Sequence, residues 1–382
     1  MDFERFDGLV HSVGQARSRR QARGGLAGAV AVAALVLGLP AAGSVSAAPH
    51  IGMVGSPAPV ALAREATPTA ACPAATPDAN AAVVRRFFEE GVNGGDLGVF
   101  DAVAAPDVAY SGATVGDESG LAALKRIYGE ALTGFPGIRY SLLTSVADED
   151  AAAVRYAVEG VHTGDFRGLA PTGNTVTWTH STFARVECGR ITEMWAEVNQ
   201  LDRLRQFGIL ADEGPAARMA GAPAPPAATP GVGSDPASCD PQDPASVADA
   251  VDRLRAEVYN GGNLDALPGI VAEGYLHGSA NGPDATGIAG GARQIGGFLT
   301  ALPDLAWTFD EAIVQGDRAA ARWTIRGTHA GELLGLAATG NPVEYTGISF
   351  FTVQCGKIVE FQTEMDAAGL LEQVGAPLRR ES

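Results

Sequence analysis

Near the C-terminus four polar residues alternate with apolar ones: Glu360, Gln362, Glu364 and Asp366 against Phe361 and Met365. On a strand, positions of equal parity share a face, so these four project together and are expected to line a pocket. A carboxylate becomes a general acid or base when desolvation or a like charge beside it raises its pKa toward the working pH. Glu364 next to Asp366 on an apolar-walled face meets that requirement. Asp366 is therefore a candidate catalytic group, and Glu364 and Gln362 are candidate ligand contacts. The competing reading is structural: Asp366 precedes a helix predicted over 367–374 and would serve as its N-cap. His329 ends a strand whose same-face neighbours are Ala321, Trp323 and Ile325. It is an imidazole at the rim of an apolar wall, suited either to catalysis or to a hydrogen-bonded structural role, and Trp323 is a candidate ligand contact on that wall. His277 completes the candidate acid–base set.

A shift of the chain against itself by 167 residues aligns without a gap: Cys72 with Cys239, Asn93-Gly94-Gly95 with Asn260-Gly261-Gly262, His162 with His329, Cys188 with Cys355, Gly208 with Gly375. One domain is duplicated in tandem, and a period far beyond the roughly 20–50 residues of solenoid units gives each copy its own core. Each copy is then a control for the other. His162 holds the place of His329, which favours a role in the fold for both. His277 aligns with Tyr110, and Asp366 with Asn199; positions that change between copies are the ones expected to meet a ligand. In the first copy His180 (Gly347 in the second), Trp195, Glu197 and Tyr110 could form an acid–base pocket without an aspartate. Asn199 can donate a hydrogen bond there but cannot take a proton at neutral pH. With His162, these are the first copy's candidate ligand contacts, and that copy is expected to be the weaker enzyme, a binding or structural module.

Residues 1–25 carry Arg17, Arg19, Arg20 and Arg23 ahead of an uncharged apolar run from Leu26 to Ala42 and the small residues Val45-Ser46-Ala47. This is the pattern of a secretory signal peptide over 1–47, and Ser18-Arg19-Arg20 resembles a twin-arginine leader. A retained anchor is the alternative, although a run of about 17 Ala- and Gly-rich residues is short for a span. Pro/Ala-rich linkers at 48–71 and 213–238 bracket domains at 72–212 and 239–378. Each domain opens with a capping residue before proline, Thr76-Pro77 or Asp243-Pro244, and a helix of about 15 residues to the Asn-Gly-Gly stop. A short helix (97–105, 264–272) and a third (121–133, 289–301) follow. Period-two strands then come at 138–146, 152–162, 175–186 and 190–199, and again 167 residues on. Helices first and a curved antiparallel sheet afterwards is an α+β plan, with three helices packed on one sheet face.

The four cysteines obey the repeat, which pairs Cys72 with Cys188 and Cys239 with Cys355 as one disulfide per domain of an exported chain; four buried free thiols are the alternative. The formal charge is −17, and −19 without the leader's five arginines and three acidic residues. A chain this acidic repels phosphate backbones and anionic lipid, which argues against nucleic-acid and stable membrane partners. No His/Cys/Asp cluster has zinc spacing, and neither a lysine-bearing phosphate loop nor a Gly-x-Ser-x-Gly elbow occurs, so no metal or cofactor is expected.

The second copy also carries Tyr259-Asn260-Gly261-Gly262-Asn263-Leu264-Asp265, Leu302-Pro303-Asp304-Leu305, Gly327-Thr328-His329-Ala330-Gly331 and Gly356-Lys357-Ile358-Val359-Glu360. The first keeps the Asn-Gly-Gly-Asp-Leu, His-Thr-Gly and Cys-Gly-Arg-Ile parts. In these segments the chain resembles the SnoaL-like polyketide cyclase and ester cyclase group. That resemblance implies two tandem NTF2-like cone domains and an intramolecular aldol ring closure by acid–base chemistry without a cofactor. It also implies a catalytic aspartate six residues after the glutamate of an Ile-x-Glu-His-Trp-x-x-x-Asp segment. The second copy keeps the aspartate, Asp366, with Phe361 and Gln362 where His and Trp belong; the first keeps the tryptophan, Trp195, and has Asn199 for the aspartate. Two readings follow. The second domain binds a small, largely apolar carbonyl compound and catalyses cyclisation or isomerisation through Asp366, assisted by His277 and His329; or both cones are non-catalytic binding or scaffolding modules. Cones of this kind commonly pair through the outer sheet face, so the two copies are expected to form an intrachain pseudo-dimer through Phe361, Met365, Met194 and Val198.

Overall fold

Thr76 and Asp243 stand before prolines whose fixed φ suits a first helical turn. Each caps that turn: Thr76 Oγ1 accepts from the Ala79 amide and Asp243 Oδ1 from the Ala245 amide, both at 3.2 Å. The computed structural model describes residues 72, 75–210, 243–279 and 284–376. The leader and linkers expected at 1–47, 48–71 and 213–238 lie outside these residues.

In the first domain α1 (Pro77–Arg86) continues into a π-helical turn, Phe87–Val92, and the widened turn buries the adjacent rings of Phe87 and Phe88 together. A 3₁₀ turn (Leu97–Val99) and α2 (Phe100–Val103) lead to β1 (Ala104–Gly112), β2 (Gly116–Ser119) and α3 (Leu121–Gly134). Then come β3 (Arg139–Ala147), β4 (Ala151–Val161), β5 (Thr175–Glu187), β6 (Arg190–Val198) and α4 (Gln200–Gln206). The second domain repeats the plan: α5 (Pro244–Arg253) with its π turn (Leu254–Asn260), α6 (Leu267–Ile270), β7 (Val271–Ser279), β8 (Ala285–Thr286) and α7 (Gly287–Ala301). It closes with β9 (Ala306–Gln315), β10 (Arg318–Thr328), β11 (Pro342–Gln354), β12 (Lys357–Met365) and α8 (Ala367–Gln373).

Each domain has one six-stranded sheet, β2-β1-β6-β5-β4-β3 and β8-β7-β12-β11-β10-β9. Two tandem α+β domains of this kind are NTF2-like cones. The sheets are antiparallel apart from β1–β6 and β7–β12, which run parallel. Local pattern misses β1: its first half, Ala104-Ala105-Pro106-Asp107, has no period-two apolar face, and pairing with β6 far along the chain makes it a strand.

Two motifs shared by the copies have backbone causes. The final hairpins turn at Cys188-Gly189 and Cys355-Gly356, each with both residues at positive φ (52° and 71°; 51° and 71°), the two-residue turn whose twist matches the strands. Cys188 is bonded to Cys72. Cys355 is also disulfide-bonded, and its expected partner Cys239 lies outside the described residues. In the His-Thr-Gly and His-Ala-Gly segments, a Cβ on Gly164 or Gly331 would run into the carbonyl of Thr133 or Thr300. The chain crosses the end of α3 or α7 too closely for any side chain.

Most of the buried apolar residues, including the aromatic rings under the helices, belong to the cores of the cones. A smaller cluster joins Val146, Ala151, Ala153 and Phe183 of the first domain to Ile313, Ala320, Ile348 and Phe350 of the second. Polar contacts surround it: Arg155 Nε lies 3.0 Å from Glu364 Oε1, Arg185 Nη2 lies 3.0 Å from Glu311 Oε2, and the Thr346 hydroxyl donates to Glu197 Oε1 at 2.7 Å. The Arg322 guanidinium stands 4.2 Å from the Trp195 ring centroid. The faces expected from parity are thus reversed. Met194 and Phe361 turn inward, Met194 Sδ receiving the Tyr128 hydroxyl at 4.0 Å and Phe361 packing on Phe351 and His277; Met365 and Val198 are buried with them. The carboxylate face of β12 meets the other domain, where Arg155 supplies the countercharge.

Candidate functional site

Strand alternation turns Val176, Trp178 and His180 of β5 toward the helices, while Phe183 joins the cluster between domains. Around His180 the first cone gathers Tyr110 from β1, Tyr128 from α3, Tyr140 from β3 and Tyr156 from β4, all buried. The His180 ring lies 5.4 Å from Tyr140 and 5.3 Å from Phe88, and Tyr140 lies 5.7 Å from Tyr156. His180 Nε2 is 2.9 Å from Thr182 Oγ1. Burial first, and then the charge of Arg203, hold its pKa down to about 3, so the imidazole is neutral at neutral pH. Burial pushes the Tyr110 hydroxyl up to about 12 and raises those of Tyr128, Tyr140 and Tyr156. All four remain O–H donors.

The charge comes from α4. Arg203 is 7% exposed, with its guanidinium 5.3 Å from the Phe166 ring centroid and 5.6 Å from that of Trp178. Burial, and next the charge of Arg167, lower its pKa to about 10, which still leaves it a cation. No ion pair holds it among the described residues. Arg167, on the turn after Phe166 at φ 54°, is paired with Glu130 at 3.1 Å. Neutral donors and one buried cation form a constellation able to polarise a carbonyl and to stabilise charge developing on its oxygen.

The neutral state of His180 has a pH signature. The unfolded chain takes a proton near pH 6.5 and the folded one only near pH 3, so unfolding takes up a proton between them. The stability contributed by this group is complete above pH 6.5 and is lost as pH falls through that window. Urea denaturation at pH 7, 5 and 4 should show His180→Gln losing less stability on acidification than wild type; parallel losses in both proteins would refute the assignment.

The second cone has Ile295, Trp307, Trp323, Gly347 and Leu370 where the first has Tyr128, Tyr140, Tyr156, His180 and Arg203. Trp323 fills the space of the missing imidazole: a Cβ on Gly347 would fall inside its indole. Its Nε1 donates to Ser349 Oγ at 2.7 Å, which in turn donates to Thr363 at 2.9 Å. His277 Nδ1 lies 3.2 Å from the Tyr275 hydroxyl, and burial lowers its pKa to about 4. Asp366, 5% exposed, accepts the Gly369 amide at 2.8 Å and caps α8. Asn199 does the same for α4 with the Asp202 amide at 3.1 Å.

His329 Nδ1 accepts the Thr339 amide at 3.3 Å, as His162 accepts that of Thr172. Both histidines tie down the loop that follows their strand. His277 contacts Tyr275 and Phe361, and His329 is tied to Thr339. Glu364, Glu197 and Trp195 sit between the domains, and Gln362, whose Nε2 donates to Glu360 at 3.2 Å, shares the Glu364 face. Of the residues singled out from sequence, Tyr110 and His180 come together in one cone and Trp323 fills the other. Sequence reading passed over Arg203, Arg167, Tyr128, Tyr140 and Tyr156. The signal for the arginines was available, because Arg203 aligns with Leu370 and Arg167 with Leu334 under the same shift that drew attention to His277.

Among the described residues no cluster of three or more His, Cys, Asp or Glu is arranged to hold a metal, and no helix is long and apolar enough to cross a membrane. The solved structure of TsrD from Streptomyces laurentii is 30% identical to this chain, over 35% of it and 98% of TsrD, with a TM-score of 0.32. IdmH from Streptomyces antibioticus is 28% identical over 34% of this chain and 98% of its own, with a TM-score of 0.31. AclR from Streptomyces galilaeus is 25% identical over 35% and 98%, with a TM-score of 0.32. None of the curated proteins matches the chain. The family model for SnoaL-like polyketide cyclase matches residues 82–207 and again 249–374, more than half of the chain and once in each domain, and the chain belongs to that family.

Proposed function

We propose that this protein binds a small, largely apolar carbonyl compound inside its first cone, with the second cone as a structural partner. The observation that carries this reading is the contrast between the copies: the first interior keeps a neutral imidazole, tyrosine hydroxyls and a buried cation where the second is filled by Trp307 and Trp323. Membership in a cyclase family supports a carbonyl ligand. Tyr110 or Tyr140 would donate to its oxygen while the charge of Arg203 stabilises negative charge there. Any enolisation would use His180 as proton acceptor. An imidazole with a pKa near 3 is a weak base, so cyclisation or isomerisation in this cone would be slow and binding is its main activity. One observation favours a second reading, turnover in the second cone: Asp366 is a buried carboxylate at the position the family motif assigns. Titration of benzoylacetone by calorimetry tests the choice. The first-cone reading expects His180→Gln with Tyr140→Phe to weaken binding at least tenfold and Asp366→Asn to leave it unchanged; the reverse pattern, or loss of turnover in Asp366→Asn alone, overturns it. We also propose that the chain is exported through the leader at 1–47, which the Cys72–Cys188 bond supports and the N-terminal mass of extracellular protein would test.

A further inference from the structure

We infer that the ligand of the first cone is an anion, a carboxylate or equivalent oxyanion on an apolar body, bound by Arg203. This rests on the reading that the first cone is the binding site and specifies what it binds. A buried charge without a partner costs several kcal/mol of desolvation, which is why buried cations are ordinarily paired. Arg203 has no ion pair among the described residues, and its Nε–H is buried without an acceptor. The neighbouring guanidinium cannot help, since Arg167 is a like charge and the carboxylate it pairs with, Glu130, is shared with Arg126. Glu130 is thus engaged on both sides, and Asp202, the neighbour of Arg203 on α4, is held by Arg205.

One further buried N–H donor around the same aromatic cluster, Trp178 Nε1, lacks an acceptor among the described residues. His162 is not another, since its Nδ1 accepts the Thr172 amide and its ring is hydrogen-bonded to the Gly164 backbone. Phe135 lies 5.4 Å from Trp178 and packs 5.2 Å from Phe166, over which Arg203 stands. Two N–H groups, one of them cationic, thus face these rings with no acceptor supplied by the described residues. A ketone oxygen would satisfy a donor and leave the charge unmatched; a carboxylate, with about four lone-pair sites, matches both. The second copy keeps the histidine but has Tyr345 and Leu370 for Trp178 and Arg203, so the cation belongs to the first cone alone.

The test uses the full chain and a matched pair of probes, 2-naphthoate and 2-naphthamide, titrated by calorimetry into wild type and Arg203→Leu, the variant taking the second copy's own residue. The expected result is a preference of wild type for naphthoate of about tenfold or more, which collapses to near unity in the variant while naphthamide affinity stays within about twofold. The ligand-free variant should also melt at a higher temperature, because an unpaired buried charge has gone. Equal affinity of wild type for the two probes overturns the anion assignment and leaves the first cone as a binding site. Binding of neither overturns that reading and the inference with it. An Arg203→Leu protein that melts lower and keeps the preference would assign Arg203 to the fold and overturn its role here.

Discussion

Arg155→Ala is expected to lower the free energy of unfolding by about 3–5 kcal/mol, the loss that follows when one partner of a buried ion pair is removed. The Arg155 side chain is 12% exposed and that of Glu364 is 0% exposed, at 3.0 Å. Without the guanidinium a carboxylate is left buried between the domains. Burial already pushes the Glu364 carboxyl above its ordinary range, with Arg155 the main opposing influence. A raised carboxyl pKa in the folded state contributes stability at low pH that is lost as pH rises through it. The deficit of Arg155→Ala should therefore shrink on acidification, as Glu364 takes up a proton. Replacing both partners, Arg155→Met with Glu364→Leu, should recover most of the loss, because an apolar pair extends the adjoining cluster of Ile348, Phe350 and Phe183. Urea denaturation of the three proteins at pH 7 and pH 4.5 provides the measurement. An Arg155→Ala protein as stable as wild type at pH 7 would mean that the two domains do not bury Glu364 against each other.

The second large effect concerns Cys72–Cys188, which closes 116 residues of sequence and ties the start of the first domain to the turn between β5 and β6. The chain-entropy account gives a loop of this length about 4–5 kcal/mol, since cross-linking removes conformations from the unfolded chain. Cys72→Ser with Cys188→Ser should lose that amount in chemical denaturation of the first domain, and reduced wild type should fall to the level of the variant. A variant as stable as oxidised wild type would show that the bond adds nothing to the domain it closes. Cys188 has positive φ in its two-residue turn, a conformation in which serine is strained as cysteine is, so the substitution reads the covalent link rather than the turn.

Much of this molecule is written in short spacings. The caps at Thr76 and Asp243 ahead of proline, the Asn-Gly-Gly helix stops, the Cys-Gly hairpin turns and four strands in each copy are local patterns with local physical causes, and each occurs where the pattern places it. The strand β1 is different, because alanine, proline and aspartate have no preference for extended structure and only the β6 partner holds them in it. The π turns are likewise paid for by the burial of neighbouring rings rather than by helix propensity.

The candidate site divides along the same line. The 167-residue repeat identified Tyr110 and His180 as places where the copies differ, and both stand in the first cone. It held the Arg203/Leu370 difference as well, but a lone arginine in an amphipathic helix reads as solvated until its neighbours are known. Asp366 illustrates the converse. Its spacing suits both catalysis and capping, and the amide of Gly369 at 2.8 Å makes it a cap. By itself the sequence determined the duplication, the α+β plan, the turn and cap chemistry and the family, all carried by spacings within or between the two copies. The tertiary structure alone decided which face of β12 looks inward, which cone is filled by tryptophan and which keeps a buried cation. Period-two alternation is symmetric between the two faces of a strand, and burial depends on what packs against them.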